Sequence, residues 1–199
     1  MNIGIDIDNT ITYTRELILD YVQTFDRDNN LGTQVNLNQY SLEKSLMWET
    51  DVLNRFLRTY LGDIYKYVSP KPNALEVIRD LHRDHSVILI TSRNQRDQTI
   101  QTTTLEWLSR HQVAYDSLVM NNTENMHHFS KLEACRENNI DVMIEDHHDL
   151  SLELSHIIPV IMFDYPYNAH LDVKNIARVK DWLEVKTIIA AMEPTEAKQ

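Results

Sequence analysis

The amino-acid sequence predicts an α/β fold built on a mainly parallel β-sheet. Short apolar segments alternate with helix-like segments along most of the chain, which is the usual pattern of such folds. One apolar segment, residues 86–90, is an almost continuous run of β-branched and aliphatic side chains, as expected of a strand that is buried on both faces. The 199 residues are enough for one sizeable core, with or without a small insert.

The alternating pattern predicts the individual elements in order. The predicted strands are residues 3–7, 86–90, 118–120, 142–144 and 160–163. The predicted helices between and after them are residues 74–84, 95–111, 131–138, 148–155 and 181–192. Residues 165–168 (YPYN) are interpreted as a turn after the last strand, and the tail after Pro194 is expected to be frayed.

Residues 15–68 interrupt this alternation. A helical run through Phe25 is followed by a polar and aromatic stretch, and then by helical segments around Trp48 and residues 51–60. Pro70 and Pro72 mark the return to the alternating pattern, because proline ends helices and stiffens connections. We therefore expect a core domain formed by residues 1–14 and 69–199, and a small helical insert formed by residues 15–68 after the first strand.

Charge and composition narrow the class of protein. The net charge of −11 argues against binding to duplex nucleic acid, since that binding relies on basic residues that neutralise phosphates. A small anionic substrate is compatible with it, because a bound cation and one or two lysines can reverse the local field. Cys135 is the only cysteine, which excludes an internal disulfide.

The chain carries no sign of membrane attachment or export. No apolar run approaches the roughly 18 residues of a membrane span. Asp6 and Asp8 interrupt the first apolar run too early for a signal peptide. We expect a cytoplasmic protein that does not bind membranes.

The segment IGIDIDNTIT gives the strongest functional signal. An apolar strand runs directly into Asp6, Asp8 and Thr10. Because side chains alternate along a strand, Asp6 and Asp8 point to the same side, at the strand end where open α/β sheets bind ligands. Two neighbouring carboxylates repel each other and need a cation or a shared proton. The alternative interpretation is a solvated acidic loop.

Three further groups of polar side chains lie where such a site would need them. They are Thr91 and Ser92 after the second predicted strand, Lys131 at the start of a helix, and Glu145, Asp146 and Asp149 after the fourth predicted strand. Hydroxyls and an ammonium can hold phosphoryl oxygens, and carboxylates can hold a cation. Each group alone also fits a turn, a helix cap or a solvated surface, but their joint order favours a site.

These motifs together resemble those of the haloacid dehalogenase superfamily. The matching residues are Asp6-Ile7-Asp8-Asn9-Thr10, Thr91-Ser92, Lys131, and Glu145-Asp146 with Asp149. The resemblance implies a Rossmann-like three-layer core with a helical cap inserted after the first motif. The Thr-Ser pair, the small cap and the chain length resemble most the 5'(3')-deoxyribonucleotidase-like group. Asn9 stands where many relatives carry glycine.

The resemblance also implies a mechanism for a phosphatase. Asp6, expected to be ionised at neutral pH, would attack phosphorus and form an aspartyl-phosphate, while Asp8 would act as general acid and base. A Mg²⁺ ion would be held by the Asp6 carboxylate, the Asp8 backbone carbonyl and the Asp146 carboxylate. Oxygens of the phosphoryl group would be held by Thr10, Thr91, Ser92 and Lys131, with Glu145 and Asp149 holding waters or the lysine.

The substrate is expected to be a small phosphorylated metabolite, with a nucleoside monophosphate as the leading hypothesis. Tyr13, Tyr40 and Trp48 could stack on a base, although aromatic residues at helical spacing also form a cap's own core. A sugar phosphate, a nucleic-acid 3'-end and a non-catalytic binding role are the alternatives. The histidine pairs His127-His128 and His147-His148 match no zinc-site spacing.

Overall fold

The computed structural model describes residues 1–124 and 129–192, so the predicted frayed tail and the pair His127 and His128 lie outside the described residues. Six parallel strands form one sheet in the order β3-β2-β1-β4-β5-β6. The strands are β1 (Asn2–Ile5), β2 (Ser86–Asn94), β3 (Ser117–Asn121), β4 (Val142–Glu145), β5 (Val160–Phe163) and β6 (Ile176–Val179). The α/β fold with a parallel sheet is therefore confirmed.

Eight helices connect or flank these strands in the described part of the chain. They are α1 (Thr14–Asn29), α2 (Leu42–Leu46), α3 (Thr50–Tyr67), α4 (Ala74–Asp84), α5 (Gln98–Arg110), α6 (Lys131–Glu137), α7 (His148–Ser155) and α8 (Trp182–Met192). The predicted strands and helices are all present, with ends that shift by a few residues.

The sheet separates two clusters of buried side chains. Val87 and Leu89 belong to one cluster, which includes residues of α4, α5 and α8. Ile88 and Ile90, which alternate with them along β2, belong to the other cluster, which includes residues of α6 and α7. Helices thus cover both faces, and the Rossmann-like three-layer arrangement is confirmed.

Strand β6 and the segment before it differ from the sequence-based expectation. The sequence IARV pairs with β5 in the register Ile161↔Ala177, so β5 is not the last strand. The prediction missed β6 because four residues that include Ala177 and Arg178 carry no clear apolar pattern. The segment interpreted as a turn forms a short 3₁₀ helix, Pro166–Asn168, in the crossover between β5 and β6.

Helices α1, α2 and α3 lie between β1 and β2 in the chain and share a cluster of buried side chains. Its fully buried members are Val22, Phe25, Leu46, Phe56 and Ile64. This separate cluster is compatible with a helical insert, while the exact division at residues 15 and 68 stays a prediction.

Strand β1 lies in the middle of the sheet, between β2 and β4. The chain order reverses beside β1, because β2 and β3 lie on one side of it and β4 to β6 lie on the other. In open parallel sheets, ligands bind at the carboxyl ends of the strands beside such a reversal. The loops after β1, β2 and β4 are therefore the expected location of a site.

Candidate active site

The loop after β1 carries the first two acidic residues. Asp6 still continues the sheet, since its backbone N–H donates to the Ile144 carbonyl at 3.0 Å. The chain then turns back, with the Ile11 and Thr12 N–H groups donating to the Ile7 carbonyl. Asn9 has a φ of 60° within this turn. Asparagine tolerates that left-handed conformation better than most residues, which explains how Asn9 can occupy this turn.

Lys131 holds the Asp6 carboxylate at the centre of the site. It is the first residue of α6, and its side chain is only 7% exposed. Its Nζ lies 2.5 Å from Asp6 Oδ1 and 2.9 Å from Glu145 Oε2. An ammonium has three N–H groups, so one more remains for a bound anion.

Asp6, Glu145 and Asp146 form one buried acidic group. Each offers a carboxylate oxygen within 4.8 Å of the other two. Asp146 also accepts hydrogen bonds from Asn9 Nδ2 at 3.1 Å and from the Tyr167 hydroxyl at 2.5 Å. Three buried carboxylates therefore lie close together, and Lys131 contacts two of them, Asp6 and Glu145.

Burial, together with the neighbouring carboxylates, raises the pKa values of Asp6 and Asp146. Burial raises the pKa of Asp6 well above its usual value; Lys131 offsets this in part, and Glu145 and Asp146 add to it. Burial, followed by the charge of Glu145, raises the pKa of Asp146 to about 7. Burial removes the hydration of the Asp6 carboxylate and so disfavours its charged form, while the ionisation of Asp6 at neutral pH stays a prediction.

A magnesium ion fits this acidic group. The donor atoms are all oxygens, which Mg²⁺ prefers, and a divalent cation would neutralise the excess negative charge that raises the two pKa values. Asp6 and Asp146, two of the predicted ligands, are brought together here. Glu145 shares Lys131 with Asp6, as expected of a group that holds the lysine.

Asp8 lies in different surroundings from Asp6. Its Oδ1 accepts from Thr14 Oγ1 at 2.6 Å and from Arg93 Nη2 at 2.7 Å, and its Oδ2 accepts from Arg93 Nε at 2.9 Å. Burial by itself would raise the pKa of Asp8, but the charge and hydrogen bonds of Arg93 outweigh it and the pKa is lowered.

Of the predicted phosphate-binding hydroxyls, that of Thr10 lies in the loop after β1, and those of Thr91 and Ser92 lie within the last four residues of β2, which extends beyond the predicted strand end. Thr91 is fully buried, and its Oγ1 accepts from the Arg93 backbone N–H at 3.2 Å, which leaves the hydroxyl proton free to donate elsewhere. Thr10 is also fully buried, and its Oγ1 has no hydrogen-bond partner in the part of the chain described. Ser92 is half-buried between Thr91 and Arg93. Both threonine hydroxyls can thus serve a ligand.

Asp149 is not brought into the acidic group. Its side chain is 79% exposed and lies 3.5 Å from His148 Nε2. It occupies the second position of α7, so the helix directs it towards solvent, and the predicted role in holding waters or the lysine finds no contact here.

The three aromatic side chains predicted to select the substrate are dispersed. The Tyr40 ring lies 4.0 Å from that of His147 and 5.3 Å from that of Tyr167, beside the acidic group. Trp48 instead packs on Phe25 in the α1–α3 cluster and donates Nε1–H to Thr33. Tyr13 is 36% exposed.

Three residues of the site were missed by the sequence analysis as functional groups, namely Asn9, Arg93 and Tyr167. A usable signal existed for Arg93, since alternation along β2 puts it on the same face as Thr91. Tyr167 reaches Asp146 only through the β5–β6 crossover, which had no recognisable pattern. Within residues 1–124 and 129–192, the histidines form no metal-holding group, and His147 instead caps α7 by accepting from the Leu150 N–H.

The fold and these side chains define a hydrolase of the haloacid dehalogenase superfamily. A solved haloacid dehalogenase-like family hydrolase from Streptococcus pneumoniae superposes with a TM-score of 0.68 at 14% identity, over 94% of this chain and 97% of that one. Residues 1–195 match the family described as "5' nucleotidase, deoxy (Pyrimidine), cytosolic type C protein", and the chain belongs to this family.

Two curated relatives cover almost the whole chain. YqfW of Bacillus subtilis, named as a candidate nucleotidase, is 33% identical over 187 residues, which are 92% of this chain and 91% of the relative. A second candidate nucleotidase, BH1399 of Halalkalibacterium halodurans, is 26% identical over 185 residues, 92% of this chain and 89% of the relative. The protein is a phosphatase of this superfamily. None of its described helices has the length and apolarity needed to cross a membrane.

Proposed function

We propose that the protein is a Mg²⁺-dependent nucleotidase that hydrolyses nucleoside monophosphates through an aspartyl-phosphate on Asp6. The observation that carries this proposal is the Asp6 carboxylate itself. It is buried, held by Lys131 at 2.5 Å, and grouped with Glu145 and Asp146 in a set of oxygens suited to a divalent cation.

In the first step, the Asp6 carboxylate attacks phosphorus while the ester oxygen leaves. Lys131 orients the carboxylate through Oδ1 and directs its remaining N–H to a phosphoryl oxygen. Thr10 and Thr91 donate their free hydroxyl protons to the other phosphoryl oxygens, together with Ser92. A metal ion held here would supply positive charge that reduces the repulsion between the anionic nucleophile and the anionic phosphate.

Asp8 moves the proton in both steps. It protonates the departing alkoxide, and it then takes a proton from the water that hydrolyses the aspartyl-phosphate. Asp6 and Asp146 would hold the metal ion through their carboxylates, and Asp8 would hold it through its backbone carbonyl.

The choice of a nucleoside monophosphate rests on the family and on one aromatic side chain. The family description names a 5' nucleotidase, and both curated relatives are named as candidate nucleotidases. Residues 15–68 act as the cap in this proposal, and Tyr40 of this segment lies beside His147, where it can stack on a base. A cytoplasmic location belongs to the same proposal, because the family is described as cytosolic.

A substrate screen tests the proposal. The purified protein is assayed with Mg²⁺ for phosphate release from deoxynucleoside and ribonucleoside 5'- and 3'-monophosphates and from sugar phosphates. We expect the highest kcat/KM with nucleotides and loss of turnover by at least about 10⁴-fold in Asp6→Asn. A preference for sugar phosphates would refute the substrate class alone. Absence of hydrolysis with every ester, or full activity in Asp6→Asn, would refute the catalytic proposal.

A further inference from the structure

Arg93 occupies a position that the reaction scheme does not yet use. Its side chain is completely buried, whereas the Asp8 side chain that it binds is 25% exposed. A buried guanidinium that donates to both oxygens of a partly exposed carboxylate can determine the orientation of that carboxylate. Two parallel N–H···O bonds fix both the position and the plane of the carboxylate.

Arg93 is itself held from three sides. Its Nη1 donates to Thr104 Oγ1 of α5 at 3.3 Å. The ring of Tyr65 in α3 covers the guanidinium, with Cζ 3.9 Å from the ring centroid. The Arg93 backbone N–H is bound to the Thr91 hydroxyl. The guanidinium therefore has little freedom to move, and α3 contributes one of the side chains that hold it in place.

The hydrogen bonds leave a free lone pair on only one of the two Asp8 carboxylate oxygens. Oδ1 accepts two hydrogen bonds, from Thr14 and Arg93, and so uses both of its lone pairs. Oδ2 accepts only the bond from Arg93 Nε and keeps one lone pair. Proton transfer by Asp8 is thereby restricted to Oδ2.

We propose that Arg93 is a positioning residue that, with Thr14, presents Asp8 Oδ2 to the leaving group. This inference rests on the proposed function. In the first step the Asp6–phosphorus bond forms, the phosphorus–alkoxide bond breaks, and the Oδ2 proton passes to the alkoxide. In the second step water attacks phosphorus, the Asp6–phosphorus bond breaks, and the water proton returns to Oδ2.

Two esters of similar size distinguish positioning from a structural role. Benzyl phosphate leaves as a basic alkoxide that needs the proton, whereas p-nitrophenyl phosphate leaves as a stable anion that does not. We expect Arg93→Lys, which keeps the charge but not the paired hydrogen bonds, to lower kcat/KM for benzyl phosphate by at least about 100-fold and for p-nitrophenyl phosphate by less than about 5-fold. The ratio kcat/KM is used because it covers only the steps up to release of the alcohol.

Two further variants make the test decisive. Arg96→Lys changes an exposed arginine three residues along the chain and should alter neither value. Thr14→Val keeps the side-chain shape and removes one hydrogen bond to Asp8, and we expect a loss of about 10-fold on benzyl phosphate alone. If thermal melting shows that Arg93→Lys does not fold, Thr14→Val decides the question.

The outcomes separate this inference from the proposed function. Equal losses on both esters, or no loss on either, would overturn the role of Arg93 while wild-type hydrolysis and its dependence on Asp6 remain. Failure of the wild type to hydrolyse any nucleoside monophosphate or either ester, or full activity in Asp6→Asn, would instead refute the proposed function.

Discussion

Two lysines, Lys131 and Lys71, are almost equally buried but lie in opposite surroundings. Lys131 is 7% exposed and binds two carboxylates, while Lys71 is 9% exposed and faces aromatic rings. The Lys71 Nζ lies 4.1 Å from the centroid of Phe163, 4.7 Å from that of Tyr165 and 5.6 Å from that of Tyr13.

The two pKa values move in opposite directions. For Lys131, burial acts to lower the pKa, but the charges of Asp6 and Glu145 outweigh it and the pKa is raised. For Lys71, burial lowers the pKa to about 8, and the charges of Glu16 and Asp146 offset this only in part. Burial alone therefore does not determine the direction in which the pKa of a lysine shifts. Lys131 compensates the negative charge of an acidic site. The charged form of Lys71 is instead destabilised by burial, and contacts with aromatic rings reduce this destabilisation.

The largest expected effect is that of Lys131→Met. Removing the ammonium leaves Asp6 and Glu145 buried without a cationic partner, so we expect a loss of about 3 to 5 kcal/mol in the free energy of unfolding. We also expect kcat to fall by at least about 100-fold, because the phosphoryl group loses a positive charge. Urea denaturation in EDTA and steady-state assays in Mg²⁺ measure the two effects.

Lys174→Met is the matched control, since Lys174 is exposed. It should change neither the free energy of unfolding nor kcat. If Lys131→Met were as stable and as active as this control, the acidic group would not depend on its lysine, and the contrast between the two buried lysines would disappear.

We expect Mg²⁺ to stabilise the folded protein through the acidic group that contacts Lys131, and not through the aromatic surroundings of Lys71. If the folded acidic group binds the ion, as proposed, and the unfolded chain does not, Mg²⁺ at about 100 times its Kd should raise the free energy of unfolding by about 2.7 kcal/mol. Urea denaturation with Mg²⁺ and with EDTA measures the difference. Asp146→Asn should remove this increase and Lys71→Met should keep it; an undiminished increase in Asp146→Asn would place the ion elsewhere.

We expect a smaller effect, on the Mg²⁺ requirement, when the hydrogen bond from Tyr167 to Asp146 is removed. Tyr167→Phe deletes the hydroxyl that donates to Asp146 at 2.5 Å. Groups that orient metal ligands typically contribute a factor of about 10 or more to metal affinity, so the Mg²⁺ concentration for half-maximal activity should rise by about 10-fold. Tyr115→Phe serves as the control, because Tyr115 packs against the hydrophobic core. An unchanged requirement in Tyr167→Phe would mean that Asn9 alone is sufficient to hold Asp146.

The position of a residue relative to the strands explains which parts of the site could be predicted from the sequence. Asp6, Lys131 and Asp146 follow strands or open a helix, and parallel strands deliver such residues to one edge of the sheet. Local patterns were therefore sufficient to predict that these side chains lie close together. The same logic identified the sheet itself, apart from β6.

The remaining residues depend on contacts between distant parts of the chain. Arg93 lies 85 residues from Asp8. Alternation along β2 places it on the face of Thr91, but a charged residue near the end of a strand is as compatible with solvent as with a buried partner. Tyr167 approaches Asp146 only after the unpredicted crossover to β6 is built. Lys71 gave no signal either, because its aromatic contacts come from α1's preceding loop and from the end of β5.

Lys71→Met is expected to have the smallest effect and the opposite sign to Lys131→Met. The variant loses a cation–π contribution of up to about 2 kcal/mol but also the larger cost of keeping a charged amine buried. We expect a net gain of about 1 kcal/mol in the free energy of unfolding at pH 7, measured by urea denaturation against Lys174→Met.

The pH dependence gives this prediction its independent check. The pKa of Lys71 is about 8 in the folded protein, against its usual 10.5. Between these values the unfolded chain binds more protons than the folded protein, so the contribution of Lys71 to stability rises with pH across this window. The stability advantage of Lys71→Met over the wild type should therefore fall from pH 7 to pH 10 and change sign within this window, because the wild type gains about 2.5 kcal/mol across it. A constant difference, or a loss of stability in the variant at pH 7, would show that the aromatic rings compensate fully for burial and that both lysines are stabilising.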